Sequence, residues 1–507
     1  MQQTIIHCAE HCLSASKTVQ YFCCTVQTRY CTEIAQQQKE EDNTISETEK
    51  IAQYLNADQA ADYLRELASK IGAEEFAVIR NLEYIYSPNE IYPLAPKASA
   101  PLPYIAAFAV DMDGTSTTTE PLALHSLEYM VRRFTNRLST DEWQGLDEEK
   151  DLPFVIGNSN FKHTEFLVKR YANEIKLNAL RDSFIEAVVW TLANMDDPQR
   201  IRDVRLNVTN TGLSAILDDP RIKSISTMTD EETVELAKAL AKDYGDFFKC
   251  ETQSELVSAA LDIYYKRYHS ILKHIEQGEG SELSKQLLGE NNRRLIEPMP
   301  GYAVFIALIK GWLDEEAAEL YSILIKDAER TKADKLPDEA EGRRRLANIA
   351  KRFRSHPAKI ALVTASIAYE THAVVKEVFN VMREQVSDWP ISKEKRNEIR
   401  SRMEDYLQVY DGFVNATDSS EARLKPHRDL YAIALYQMSI PKQEYSMCIG
   451  VEDTEPGIIS LRAAGIGFAV ALPNHDTRRQ NYCAASHIIK GGLPEMILKH
   501  NLFLADI

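Results

Sequence analysis

Four carboxylates and a threonine sit at the ends of apolar runs that are far apart in the chain. Ala-Phe-Ala-Val leads into Asp111-Met-Asp113-Gly114-Thr115, Lys359-Ile-Ala-Leu-Val leads into Thr364-Ala365-Ser366, and Met-Cys-Ile-Gly-Val leads into Glu452-Asp453. Between the last two lies Lys425-Pro426-His-Arg-Asp429. Two carboxylates two residues apart, a hydroxyl, an ammonium and a second acidic pair form an inventory suited to Mg2+-assisted phosphoryl transfer. Asp111 is placed to attack phosphorus and form an aspartyl-phosphate. Asp113 is placed to protonate the leaving oxygen and later to take a proton from water. Four carboxylates together repel unless a divalent cation lies among them, and oxygen ligands without His or Cys point to Mg2+.

These residues meet only if a particular architecture brings them together. In a parallel α/β sheet, strands buried on both faces read as continuous apolar runs, and ligands bind beyond their carboxyl ends. After His356-Pro357 the sequence alternates between strand and helix patterns. Strands are expected at 359–363, 409–414, 446–450 and 466–471, and helices at 367–381, 392–408, 427–438 and 456–464; a first core strand is expected at 105–110. Such alternation implies right-handed crossovers and a parallel sheet. Between Thr115 and Lys359 apolar residues recur at three and four residue spacing, as in 183–195, 233–248, 254–276, 302–330 and 343–353, which predicts a helical insert.

The motifs together resemble the haloacid dehalogenase (HAD) superfamily, in particular the phosphoglycolate phosphatase and β-phosphoglucomutase type. That family carries Asp-x-Asp-Gly-Thr, a strand ending in Thr or Ser, Lys-Pro-x-x-Asp, and Glu-Asp-Ser/Thr-x-x-Gly-Ile. The likeness covers about 105–125 and 355–473. It implies a Rossmann-like core at 101–118 and 356–507, a helical C1-type cap at 119–355 and an N-terminal extension at 1–100. By the same resemblance Asp111 is nucleophile and Mg2+ ligand, Asp113 is the acid/base that lends its carbonyl to the metal, and Asp453 is a ligand assisted by Glu452. Thr364 and the backbone at Ala365 bind phosphoryl oxygens, and Lys425 neutralises nucleophile and phosphate. The activity implied is a Mg2+-dependent phosphatase for a small phosphorylated metabolite. A sugar-phosphate mutase and a non-catalytic metal- or phosphate-binding regulator are the rival readings. Ser116 and Thr118 depart from the Leu and Asp usual after the motif, while Glu120-Pro121 remains.

The bulk properties agree. The 507 residues are 44% hydrophobic with net charge −17, and the pI is near 5.3, which argues against general affinity for nucleic acid or anionic membrane. No apolar run approaches the roughly 20 residues a membrane span needs, and no secretory signal is read at the N-terminus. Five of eight cysteines (Cys8, Cys12, Cys23, Cys24, Cys31) crowd the first 31 residues at uneven spacing. With the other three far apart, they suit a reduced, cytoplasmic protein better than a disulfide framework. His7-Cys8-x-x-His11-Cys12 offers zinc-type ligands without a second regular pair. Residues 36–50 have linker composition, a helix is expected at 47–70, and the prolines between 88 and 103 predict an extended connection. Asn158-Ser-Asn160-Phe-Lys162-His163 and Arg170 are read chiefly as a solvated helix start with a possible reach to substrate, and His125 as a helix residue near the hinge.

Overall fold

A computed structural model describes residues 54–507 except 83–84, 157–158, 226–227 and 289–293. The N-terminal cysteines and the His7-Cys8 motif lie outside the described residues. The chain divides at Ser69/Lys70. On the N-terminal side, the described residues form most of an amphipathic helix, Ala57–Ile71, with no buried residue.

The larger unit is organised on a six-stranded, all-parallel sheet of order β5-β4-β3-β6-β7-β8. Its strands are β3 (Ala107–Asp111), β4 (Lys359–Val363), β5 (Gly412–Val414), β6 (Cys448–Glu452), β7 (Phe468–Ala471) and β8 (His487–Ile488). A separate antiparallel pair, β1 (Phe76–Arg80) and β2 (Asn89–Pro93), precedes it. Successive strand residues face opposite ways, and the two faces differ in size. Phe108, Val110, Ile360, Leu362, Ile449, Val451, Phe468 and Val470 enter the larger core. Ala107, Ala109, Ala361, Val363, Ala469 and Ala471 face a smaller one shared with α11 (Asp429–Gln437) and α12 (Glu455–Ala463). Small residues there let those helices lie close. A Cβ at Gly450 would overlap Leu461 of α12.

The insert supplies α1 (Glu120–Thr135), α2 (Asn160–Arg170), α3 (Leu177–Asn194), α4 (Pro198–Asn210), α5 (Asp230–Tyr244) and α6 (Gln253–Glu276). Capping boxes at Thr229 and Thr252 set the starts of α5 and α6. The chain leaves the sheet through 114–119 and returns alongside it. Thr118 N–H donates to the Glu297 carbonyl at 2.9 Å, Met299 N–H donates to that of Ser116 at 2.9 Å, and Thr117 bridges Pro298. Beyond this double strap, α7 (Tyr302–Ile309) and α8 (Glu339–Ser355) pack on the sheet itself: Phe305 meets Phe108 edge-on at 5.0 Å and Phe353 lies 6.4 Å from it.

Helices α9 (Ala368–Ser387) and α10 (Lys393–Arg402) follow β4. The strand expected at 409–414 is only Gly412–Val414, because Asp405 caps a helical turn at Tyr406–Val409 by accepting from Leu407 N–H at 3.0 Å. Likewise the run 302–330 is not one helix: α7 ends at Ile309 and Gly311 takes φ +66°, a conformation that halts a helix. The described cysteines, Cys250, Cys448 and Cys483, are free thiols. No helix among the described residues is long and apolar enough to cross a membrane.

Candidate active site

The Asp111-Asp113, Thr364, Lys425 and Glu452-Asp453 motifs meet at the carboxyl edge of the sheet. β3 ends on Asp111, β4 delivers Thr364, and β6 ends on Glu452 and Asp453. Lys425 stands in the loop before α11 and its ammonium reaches back among them. It donates to Asp111 Oδ1, to Glu452 Oε1 at 2.7 Å and to the Val363 carbonyl at 3.2 Å.

Glu452 is the fixed point of the cluster. Oε1 accepts from Lys425 and from Tyr431 O–H at 2.7 Å. Oε2 accepts from the N–H groups of Asp453 (3.2 Å) and Thr454 (3.3 Å) and from the Thr454 hydroxyl (3.0 Å). Five donors thus hold a carboxylate that is 0% exposed. Gly457 leaves room for it, since a Cβ there would overlap the Glu452 carboxyl. Asp453 is aimed by Thr115, which donates to Oδ1 at 3.0 Å, and by Asn474, which donates to Oδ2 at 2.8 Å. Gly114, at φ +82°, brings the turn after Asp113 against Asp453, and no side chain would fit between them.

Asp113 lies under a different set of donors. Thr119 donates to Oδ1, and Thr364 (3.0 Å) and Ser366 (3.2 Å) donate to Oδ2. Thr364 also accepts the Ser366 N–H at 3.0 Å. Thr364 therefore orients the acid/base candidate and is itself fully buried, whereas Ala365 and Ser366 line the open space.

That space is a cavity of about 70 Å³ bounded below by Asp111, Asp113, Ser366 and Lys425 and above by Glu120, His163 and Tyr268 from the insert. His163 is 7% exposed, and neither ring nitrogen has a hydrogen-bond partner. Asn160 also reaches the cavity. Ser159 and Arg170 are held elsewhere, and Asn158 lies outside the described residues. Ser159 caps α2, accepting from Lys162 N–H at 3.4 Å, and its hydroxyl donates to Glu421, in the loop that leads to Lys425. Arg170 pairs with Asp151 at 3.2 Å. His125 accepts from Arg267 at 3.2 Å and does not line the cavity.

Burial, then Glu452, Asp453 and Asp113, push the Asp111 carboxyl well above its ordinary range against the pull of Lys425. Asp453 is raised by burial and by Glu452 and Glu120. Asp113 is raised by burial, with the Thr119, Thr364 and Ser366 hydroxyls opposing. Glu120 is pushed up to about 8 by burial and by Asp113, Asp476 and Asp111. Burial opposes the charge on Lys425, but Asp111 and Glu452 outweigh it and raise its pKa. Burial takes His163 down to about 3, so its imidazole is neutral. Among the described residues, Asp111, Glu452 and Asp453 thus share one nearby ammonium, Lys425, with Asp113 beside them. Oxygens of Asp111, Glu452 and Asp453 lie within 4.8 Å of one another. A hard divalent cation fits this all-oxygen set and offsets its excess charge.

The site residues named from sequence at the core motifs therefore meet at one edge of the sheet. Glu120, Ser366, Tyr431 and Asn474 were not singled out as site residues. Only Ser366, directly after Thr364-Ala365, and Glu120, in the Glu-Pro pair, stood within a noted motif.

The fold is a parallel α/β core carrying a helical insert, with an aspartate pair at the tip of a central strand and a lysine and second acidic pair beside it. No family model and no curated protein matches the sequence. Among solved structures the chain is similar to CbbY from Rhodobacter sphaeroides in complex with phosphate, at 14% identity over 77% of this chain and 96% of that one, TM-score 0.36. It is also similar to a HAD hydrolase, family IA, variant 3, from Entamoeba histolytica (12% identity, 76% and 92% covered, TM-score 0.30). A third is a phosphonoacetaldehyde hydrolase like protein from Oleispira antarctica (11% identity, 81% and 95% covered, TM-score 0.30).

Proposed function

We propose that this chain is a Mg2+-dependent phosphatase that hydrolyses a small phosphorylated metabolite through an aspartyl-phosphate. The observation that carries the reading is the constellation of Asp111, Asp113 and Asp453 at adjoining strand tips with Lys425 reaching in from the loop before α11, of which Asp111, Asp113 and Lys425 line one cavity. Asp111 and Asp453, with the Asp113 carbonyl, would hold the metal directly. Glu452, whose oxygens are already engaged by five donors, acts by fixing Lys425 and Thr454. When bound, Mg2+ supplies positive charge to the phosphoryl oxygens.

The chain's own groups then do the rest. Lys425 fixes Asp111 Oδ1 and offsets charge on the nucleophile. An Asp111 oxygen forms a bond to phosphorus as the bond to the leaving oxygen breaks, and Asp113 delivers a proton to that oxygen. In the second step a water attacks phosphorus, Asp113 takes its proton, and the Asp111–phosphorus bond breaks to release phosphate. The raised pKa of Asp113 suits a group that must carry a proton near neutral pH.

The cavity of about 70 Å³ is small beside the roughly 300–1,000 Å³ of ordinary ligand sites. We infer that residues 120–294 swing on the double strap to admit substrate, and that α7 and α8 count with the core. Closure would bring Asn160 and His163 onto the substrate and exclude water during the first transfer. The free thiols suit a reducing, cytoplasmic setting.

The test is phosphate release from p-nitrophenyl phosphate and a panel of phosphorylated metabolites. Activity abolished both by chelation and by Asp111→Asn is the expected result; turnover that survives Asp111→Asn would overturn the mechanism.

A further inference from the structure

A second cavity, of about 440 Å³, opens where the end of α6 and the return strap meet α9 and α10, and it does not share residues with the catalytic one. Three arginines line it: Arg294 just before the strap, Arg383 on α9 and Arg400 on α10. Arg294 is already neutralised, its two terminal nitrogens lying 3.2 Å from Glu377 and 2.5 Å from Glu384.

Arg383 and Arg400 are not. Neither guanidinium has a hydrogen bond or ion pair to a side chain among the described residues, and the Nε of each is shut off from solvent without a partner. The chain carries 76 acidic against 59 basic residues, so two unpaired guanidiniums facing one cavity do not reflect a shortage of carboxylates. A partly buried arginine left unpaired is unfavourable unless an anion completes it. Its planar fork matches phosphate oxygens two at a time.

We propose that Arg383 and Arg400 form a binding site for a phosphate-bearing small molecule, distinct from the catalytic centre. Set against Glu377 and Glu384, which also line the cavity, its three arginines leave one net positive charge, and the two without a partner present it to a phosphoryl group, which is anionic at neutral pH. The volume lies within the range of ligand sites, and Ile275 and Leu295 offer an apolar wall for the rest of the molecule. The site abuts the strap through Arg294, three residues before the Glu297 carbonyl that accepts from Thr118. The inference does not depend on the phosphatase reading.

Equilibrium dialysis of the full chain against radiolabelled inorganic phosphate tests it. The double variant Arg383→Gln/Arg400→Gln is expected to lose one equivalent of bound phosphate, or to bind it at least tenfold more weakly. Arg383→Lys/Arg400→Lys is expected to keep it in part, and turnover of p-nitrophenyl phosphate to stay within twofold. Lys425→Met, assayed in parallel, removes any phosphate held at the catalytic site. An equivalent lost in the glutamine variant but retained in Lys425→Met therefore supports this site whether or not the enzyme reading stands. If circular dichroism shows the double variant to be misfolded, each single glutamine variant carries the same test. Equal stoichiometry and affinity in the wild-type and folded glutamine variants overturn the proposal.

Discussion

The contact between His269 of α6 and Glu370 of α9 gives a sharp prediction of stability against pH. Nε2 lies 3.0 Å from Oε1, and both side chains are 1% exposed. The other nitrogen and the other oxygen have no partner. Burial pushes Glu370 up to about 8 and drives His269 well below its ordinary value. Up to about pH 8 the folded pair therefore holds one titratable proton, whichever side carries it. The unfolded pair, with ordinary values of 4.5 and 6.5, holds two below 4.5, one between them and none above 6.5. Stability rises with pH where the unfolded state binds more protons and falls where it binds fewer. The pair's contribution thus climbs to about pH 4.5, stays level to 6.5, and falls by about 2 kcal/mol between 6.5 and 8.

In Glu370→Gln the folded state has only a neutral His269, so the contribution rises to pH 6.5 and then stays flat. Between pH 5 and pH 8 the wild type loses about 2 kcal/mol and the variant gains about 2, so the gap moves by about 4 kcal/mol in the variant's favour. Urea unfolding of both proteins, followed by circular dichroism at pH 5, 6.5 and 8, measures this, and the difference cancels every group that titrates alike in the two. A gap constant to within about 1 kcal/mol would refute the account of the buried pair.

Three other outcomes follow from the site. Lys425→Met leaves Asp111 and Glu452 facing each other without their shared cation and should lower kcat by roughly 10²–10³, read with p-nitrophenyl phosphate at saturating Mg2+. Gly457→Ala drives a methyl into the Glu452 carboxyl. It should destabilise the fold by roughly 1–3 kcal/mol, measured as a lower urea midpoint. Gly114→Ala forces a side chain onto φ +82° and into Asp453. It should weaken Mg2+ binding by at least tenfold in calorimetry, and unchanged affinity would show that the turn does not position Asp453.

The core strands and the polar residues that meet at their tips were legible because each depends on a local pattern. Strands buried on both faces have to be continuous apolar runs, so β3, β4, β6 and β7 announce themselves, and the polar residue ending each run has to lie at the carboxyl edge. The misses are places where local pattern is weak. β8 is two residues long and follows a loop of turns. β2 ends on Pro93 and stands in a two-stranded ribbon, where proline is tolerated because an edge N–H needs no partner. In the insert, helical periodicity told that 302–330 and 343–353 are helical but not which surface those helices cover. That they pack on Phe108 is a tertiary fact with no signature in the spacing.

The resemblance made Asp453 the ligand and Glu452 its assistant, but how Glu452 assists was hidden, since two adjacent carboxylates read alike by residue type. The structure separates them by their donors. Glu452 has five, which fill both its oxygens, whereas Asp453 has one donor on each carboxylate oxygen. A carboxylate with its lone pairs engaged by Lys425, Tyr431 and Thr454 orients its neighbours and has little left for a cation. Asp453→Asn should therefore cost Mg2+ affinity more than 100-fold, while Glu452→Gln, which disturbs only the support, should cost about 10- to 100-fold. Glu452→Gln should also loosen Lys425, because an amide nitrogen cannot accept from an ammonium or a phenol, and so should lower kcat even at saturating Mg2+. Titration calorimetry with Mg2+, paired with kcat at saturating metal, separates the two effects. If Glu452→Gln weakens the metal as much as Asp453→Asn does, Glu452 is itself a ligand and the hydrogen bonds it accepts must rearrange when the cation binds.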